Sequence, residues 1–358
     1  MKNQIERLRE KLITDESQAI LITSSMNRRY FSSFKSSAGI ILITANEAFM
    51  LMDFRYAEAA TLKAKNVTVQ LAKNFDISLG ELIVKNKIET IHLESETLTY
   101  SAVCGYKKLF KSLNATAVLD GKLNSVITAL RMIKSADEIK KIEAAQKITD
   151  GAFAHALTCI KEGVTELDIA LEIEFYMKKQ GAESLAFDSI VVAGAKTSQC
   201  HGVPDNSVIH HGDFITMDIG AKLDGYCSDM TRTVVLGEAS EEQKAIYNTV
   251  LLAHNKAMEA VKPGMICSDI DKIARDIIDP IYPNAFGHGL GHSLGLEVHE
   301  NPRFSPLCHE VLEAGMIITD EPGVYIAGKG GVRIEDMVLV TENGSRSLTN
   351  SPKELIIL

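Results

Sequence analysis

Residues 287–302, GHGLGHSLGLEVHENP, hold three histidines, His288, His292 and His299, among glycines that let backbone come close to a bound group. Glu300 follows the last of them. Histidine carries protons near neutral pH and ligates metals, but a histidine alone is as readily packed or solvated. Four acids elsewhere give the cluster a chemical meaning: Asp218, Asp229, Glu321 and Glu335. Asp218 sits in FITMDIG and Glu335 in VRIEDMVLV, both strongly apolar. Carboxylates converging in such surroundings repel one another and are costly to bury. Either they stay apart as separate salt-bridged acids, or cations hold them. Four carboxylates and one neutral imidazole balance two divalent ions. Oxygen-rich ligation with one imidazole suits Mn²⁺ first, with Co²⁺, Zn²⁺ or Fe²⁺ as other occupants, and the absence of thiolate argues against a structural zinc. Two such ions activate water near neutral pH and polarise a carbonyl, which is hydrolytic chemistry.

The elements that must position these acids are strands. Residues 214–219 and 226–235 read as a hairpin around Asp224-Gly225. A four-residue loop places Asp218 and Asp229 directly opposite, and a two-residue loop makes them diagonal neighbours. Both registers keep them on one face, because side chains alternate with period two. Residues 316–321 and 332–340 form a comparable pair carrying Glu321 and Glu335 across a Gly-rich connection. Each strand pair follows a helix pair, and the helix joints repeat: Lys161-x-Gly163 leads to Asp168-Ile169 as Lys262-x-Gly264 leads to Asp269-Ile270. Ser135 with Glu138, and Ser240 with Gln243, fit capping boxes opening the long helix of each half. Two related half-units each presenting two carboxylates is the expectation.

At 358 residues the chain exceeds the size at which one core stops growing, so two domains are expected. Before residue 130, short apolar runs at 19–23, 39–44, 47–53, 67–71, 90–93 and 115–119 alternate with helical patterns at 56–65, 77–85 and 100–113, an α/β layer. No Gly-rich phosphate loop follows any of these runs. A formal charge of −9 excludes a broad basic nucleic-acid face. No apolar run approaches the ~20 residues of a membrane helix, and the opening MKNQIERLREKL is amphipathic with no signal core. Six cysteines without a C-x-x-C pair read as buried, reduced thiols. A cytoplasmic enzyme, with neither nucleic acid nor membrane as partner, is the expectation.

The motifs MDIG…SDMTRT, GHGLGHSLGLEVHE, DEPGVY and GVRIED, in that order, resemble the pita-bread metallopeptidases, which include Xaa-Pro aminopeptidases, Xaa-Pro dipeptidases and methionine aminopeptidases. The resemblance runs from about Ser135 to the end. NRRYFSSFKSSAG and MDFRYAE are similar to the N-terminal domain of Xaa-Pro aminopeptidases, prolidases and creatinases, a domain that short methionine aminopeptidases lack. Ser33 stands where a glycine is common. The implied architecture is an α/β N-terminal domain over 1–130 and an α+β pita-bread catalytic domain over 131–358 with a pseudo-twofold internal repeat. The resemblance implies that Asp218 chelates one metal, that Asp229 and Glu335 bridge two, and that His292 and Glu321 complete the sites. The family's ligand histidine lies seven residues before the His-Glu pair, which selects His292 over His288. His201 lines the substrate side, His299 donates a hydrogen bond to substrate or tetrahedral intermediate, and His288 faces the pocket. Arg333 orients the carboxylates from Glu335's strand face; Tyr325 lies close by. Attack by a hydroxide bridging the two metals, with Glu321 shuttling the proton, follows from the same resemblance.

Within the family, the chain's length, N-terminal domain and SPKELIIL ending look most like short bacterial Xaa-Pro aminopeptidases, which release the first residue from peptides with proline second, commonly as homodimers. The alternative is an Xaa-Pro dipeptidase, for which Arg303 matches an arginine that some prolidases use to hold the dipeptide's carboxylate. A metal-free peptide-binding module, or a creatinase, is disfavoured because all five ligands are present. Cys200 beside His201 is poorly placed as nucleophile and base, since neighbours on a strand point to opposite faces. Residues 287, 289 and 291 lack dinucleotide-loop spacing.

Overall fold

The computed structural model describes residues 2–358 and divides into two compact units, one ending at Arg131 and one starting at Met132. In the first unit, six strands form one sheet in the order Thr68–Leu71, Ala48–Met52, Ile40–Thr44, Gln18–Ile22, Thr90–Leu93, Thr116–Val118. The central strands are buried along their length, as expected of apolar runs covered on both faces. The opening helix Gln4–Leu12 buries Ile5, Leu8 and Leu12, the residues whose spacing predicted it. Two further helices fall outside the sequence patterns, Ser25–Ser32 and Lys122–Met132; the second buries Leu123, Ile127 and Leu130 at helical spacing, whereas the first has no such stripe. The first is held by polar burial: Asn27 and Arg28 are inside, and Glu94 accepts from Asn27 and from the backbone of Thr23 and Ser24. It ends on Ser33 at φ 57, the left-handed conformation that favours glycine.

The second unit pairs long helices with strands twice. Ala136–Cys159 packs with Glu166–Lys179, and Glu241–Ala260 with Cys267–Ile278. The two long helices open on the capping boxes read at Ser135–Glu138 and Ser240–Gln243. The repeated glycines at the joints take φ 90 at Gly163 and φ 88 at Gly264, so both copies of the sequence repeat encode the same left-handed turn. Behind the first helix pair lies the three-stranded sheet Met230–Val235, Phe214–Ile219, Ile190–Ala193. Behind the second lies a five-stranded sheet ordered Glu300–Phe304, Gly291–Ser293, Ile317–Asp320, Asp336–Thr341, Gly344–Ser347. Separate apolar cores fill the two halves. This α/β unit followed by a duplicated α+β unit is the fold class expected. Among the described residues, no helix is long and apolar enough to cross a membrane.

The cysteines correct one expectation. Only Cys227 and Cys267 are buried; Cys104 is exposed, and Cys159, Cys200 and Cys308 are partly exposed. All six are free thiols.

Candidate active site

Asp218 pairs with Thr231 across the first hairpin, and the turn register Leu223–Tyr226 continues through it. The loop is therefore the two-residue Asp224-Gly225, and Asp229 is diagonal to Asp218 on the same face. In the other half, Asp320 stands opposite Asp336, and Gly323 opposite Arg333. Glu321 and Glu335 fall between these two ladders in continuous register, so they face each other. Alternation sends them to the cleft and sends Asp320 and Asp336 to the opposite side. There His254 lies 3.3 Å from Asp320 and 3.4 Å from Asp336, and Arg232 donates to Asp336 at 2.7 Å.

His292 joins the acids from the strand Gly291–Ser293. Its Nε2 lies 3.4 Å from Glu321 Oε1 and 3.6 Å from Asp229 Oδ2. Nδ1 lies 3.1 Å from the Ser293 carbonyl, which only accepts, so the proton sits on Nδ1 and the Nε2 lone pair faces the carboxylates. One donor atom each from Asp229, His292 and Glu335 lies within 4.8 Å of the others. Gly291 is required here: a Cβ would sit 2.1 Å from the Thr319 carbonyl.

Arg333 binds the cluster together. It donates from Nη2 to Asp218 Oδ2 at 2.6 Å, from Nε to Thr231 Oγ1 at 2.9 Å and from Nη1 to Tyr325 Oη at 2.8 Å. Thr231 Oγ1 in turn donates to Glu335 Oε2 at 2.7 Å. Tyr325 Oη reaches His288 Nε2 at 2.9 Å, and His288 Nδ1 faces the Gly289 carbonyl at 2.8 Å. Asp218, Asp229, His288, His292, Glu321, Arg333 and Glu335 line one cleft of about 420 Å³, together with His201, His299 and Arg303, while Thr231 lies buried beneath it. Tyr325 stays behind Arg333.

One arginine does not neutralise four acids. Burial, then the neighbouring Glu335, Asp218 and Glu321, push the Asp229 carboxyl well above its usual range. Burial and the charges of Glu321 and Asp218 do the same to Glu335. Glu321 is pushed up to about 8, chiefly by burial. Burial holds His292 down at about 3 and His288 at about 4, and lowers His299. Such opposed shifts in one cleft mark a functional site.

The sequence of residues 140–342 matches the model of metallopeptidase family M24, and residues 4–133 match the Creatinase/Prolidase N-terminal domain. The chain belongs to metallopeptidase family M24. An Xaa-Pro dipeptidase of Pyrococcus furiosus is 40% identical over 363 residues, covering 99% of this chain and all of that one. Among solved structures, an Xaa-Pro dipeptidase from Bacillus anthracis superposes with a TM-score of 0.93 at 41% identity, covering 99% of each chain. An X-Pro aminopeptidase from Thermotoga maritima MSB8 gives 0.91 at 35% identity, covering 98% of this chain and 99% of that one.

The chain is thus an M24 hydrolase, of a family that works with paired divalent ions. The donor set fits such ions. Asp218 Oδ1 is buried without a partner, and a lone pair of His292 points at two carboxylates, an arrangement that is repulsive until a cation enters. The M24 cleft is also supported and walled by residues that motif reading did not single out. Thr231 and Thr319 hold carboxylates, the latter donating to Glu321 Oε1 at 3.2 Å. Phe187, Ile190, Val298 and Phe304 give the cleft apolar walls. The TRT and ITDE phrases place both threonines two residues from a ligand on the same strand face, a signal that was available.

Proposed function

We propose that this M24 chain is an Xaa-Pro dipeptidase, a prolidase, holding two divalent ions, Mn²⁺ foremost. The observation that carries this reading is Arg303 on the wall of the cleft that contains the carboxylates. A dipeptide presents a carboxylate one residue beyond the scissile bond, and an arginine suits it. The dipeptidases named above are as similar as any relative considered, so weight moves from the aminopeptidase expected from the sequence to its alternative.

In this reading Asp218, Asp229, His292, Glu321 and Glu335 would hold the two ions. Bound there, the ions would activate water and polarise the scissile carbonyl. His299, whose ring stands edge-on to His292 with centroids 4.5 Å apart, donates to the carbonyl oxygen as it becomes anionic. Glu321 passes the proton to the leaving nitrogen. His201 and His288 flank the substrate, and Arg333 with Tyr325 fixes the carboxylates. The apolar walls exclude water from the reacting bond. A homodimer and a cytoplasmic setting are the corresponding proposals for assembly and location; they rest on resemblance and are tested by light scattering and fractionation.

An Xaa-Pro aminopeptidase is the second reading, favoured by the Thermotoga maritima structure. The deciding assay strips the protein with chelator, restores Mn²⁺ or Co²⁺, and offers Leu-Pro beside a longer peptide starting Arg-Pro-Pro. Cleavage confined to the dipeptide supports prolidase. Release of arginine from the longer peptide overturns it and makes Arg303 a loop cation.

A further inference from the structure

A second group of metal-type donors lies outside the hydrolytic cleft, on the first helix pair. His155 and Cys159 are one turn apart on Ala136–Cys159, so they share a face. Glu172 meets them from the neighbouring helix Glu166–Lys179. His155 Nε2 lies 2.9 Å from Glu172 Oε2 and 3.7 Å from Cys159 Sγ, and the three donor atoms fall within 4.8 Å of one another. The imidazole is held in place. Tyr176 stacks on it with centroids 5.1 Å apart and planes at 20°. That stack needs Gly151, where a Cβ would come 2.7 Å from Tyr176 Oη.

We propose that His155, Cys159 and Glu172 form a second divalent-cation site, for a borderline-soft ion such as Zn²⁺ or Co²⁺, that clamps these two helices. The donor types differ from those of the hydrolytic cleft, where no thiolate is among the ligands, and sulfur with imidazole selects for softer ions. The spacing fits as well. Bonds of about 2.3 Å to sulfur and 2.0 Å to nitrogen at a tetrahedral ion put those atoms roughly 3.6 Å apart. The histidine–glutamate contact widens by a few tenths of an ångström to admit the ion, and the half-exposed Glu172 side chain allows it. One thiolate and one carboxylate balance the ion's charge. Solvent reaches His155 and Glu172, which leaves water for the fourth position. The plain alternative is a surface ion pair beside a free thiol, and such pairs contribute little.

The test is a cobalt titration of the full-length protein after chelation, followed by near-ultraviolet absorption. Sulfur-to-cobalt charge transfer reports a thiolate ligand and is silent for the hydrolytic cleft's oxygen and imidazole donors. The proposal expects this band to saturate and to vanish in Cys159→Ser. His155→Ala and Glu172→Gln, which keep the thiol, are expected to weaken cobalt affinity at this band by about tenfold or more. Peptidase activity stays unchanged in all three. Absence of the band overturns the proposal. So does a band that survives Cys159→Ser, which would belong to another thiol such as Cys200 at the cleft. If Cys159→Ser fails to fold by circular dichroism, the other two variants decide: a band unaffected by both overturns the site.

Discussion

Arg333 reaches Asp218 at 2.6 Å across strands from different halves of the catalytic unit. The same guanidinium touches Glu335 only through the Thr231 hydroxyl. Two of the four acids are therefore aligned by one side chain, directly and by relay. Lysine supplies one point charge and cannot serve three acceptors in a plane. Arg333→Lys is expected to lower kcat/KM roughly 10- to 100-fold with similar loss of metal affinity. Thr231→Val removes the relay alone and should weaken metal retention less. Metal content by mass spectrometry, measured beside steady-state kinetics, checks both.

Stripping the metals leaves buried acids whose carboxyls are raised, Glu321 to about 8. A raised folded-state pKa means the contribution to stability is complete below the unfolded value, about 4.3 for glutamate, and is lost as pH rises through the folded value. The chelated protein should thus lose melting temperature between about pH 5 and 8. Protein reloaded with Mn²⁺ should not show that slope, because the ions replace the protons. Calorimetric scans across this range with and without metal test it; a parallel slope in both forms would exclude these carboxyls as its source.

Asp229→Ala and Glu335→Ala are expected to abolish turnover and metal binding together, since each removes a carboxylate from the three-donor cluster with His292. His299→Ala is expected to cost about 10²–10³-fold in turnover while metal content stays near that of the unaltered chain. Loss of both metals in the histidine variant would move His299 among the ligands.

Much of this was legible in the sequence because one period did the work. Alternation put Asp218 and Asp229 on one face for a two- or a four-residue loop, and the observed register is the first of these. The left-handed glycines of the helix joints made the duplication visible. What escaped reading depends on distant partners. Helix Ser25–Ser32 is fixed by Glu94, a buried acid that no local pattern announces. Thr231 matters because Glu335 lies against it, and 104 residues separate the two. The cysteines were misplaced because composition gives compartment, not depth.

Those thiols offer a further check. Burial pushes the Cys227 thiol up to about 11 and Cys267 higher still. Neither should react with a thiol reagent at pH 8 in the folded protein, since the thiolate is the nucleophile. Cys104 is exposed and should label first. Peptide mapping after brief alkylation reads the order, and full labelling of Cys227 or Cys267 before unfolding would contradict the packing described.

Lys134 fixes the loop that carries His299. Its buried ammonium donates to Ser293 Oγ at 2.8 Å and lies 3.5 Å from Glu300 Oε2. Glu300 in turn packs against Gly295, where a Cβ would come within 2.8 Å of the carboxylate. Removing one partner of such a buried pair strands the other charge, at a cost of about 3–5 kcal/mol. Lys134→Met should therefore lower the melting temperature and turnover together. Adding Glu300→Gln to it should recover part of the stability, because the stranded charge is gone. Recovery of stability without recovery of turnover would assign the pair to positioning His299; turnover that returns in step with stability would make it a fold contact only. A double-mutant cycle in denaturant, with kcat measured on the same four proteins, separates the two.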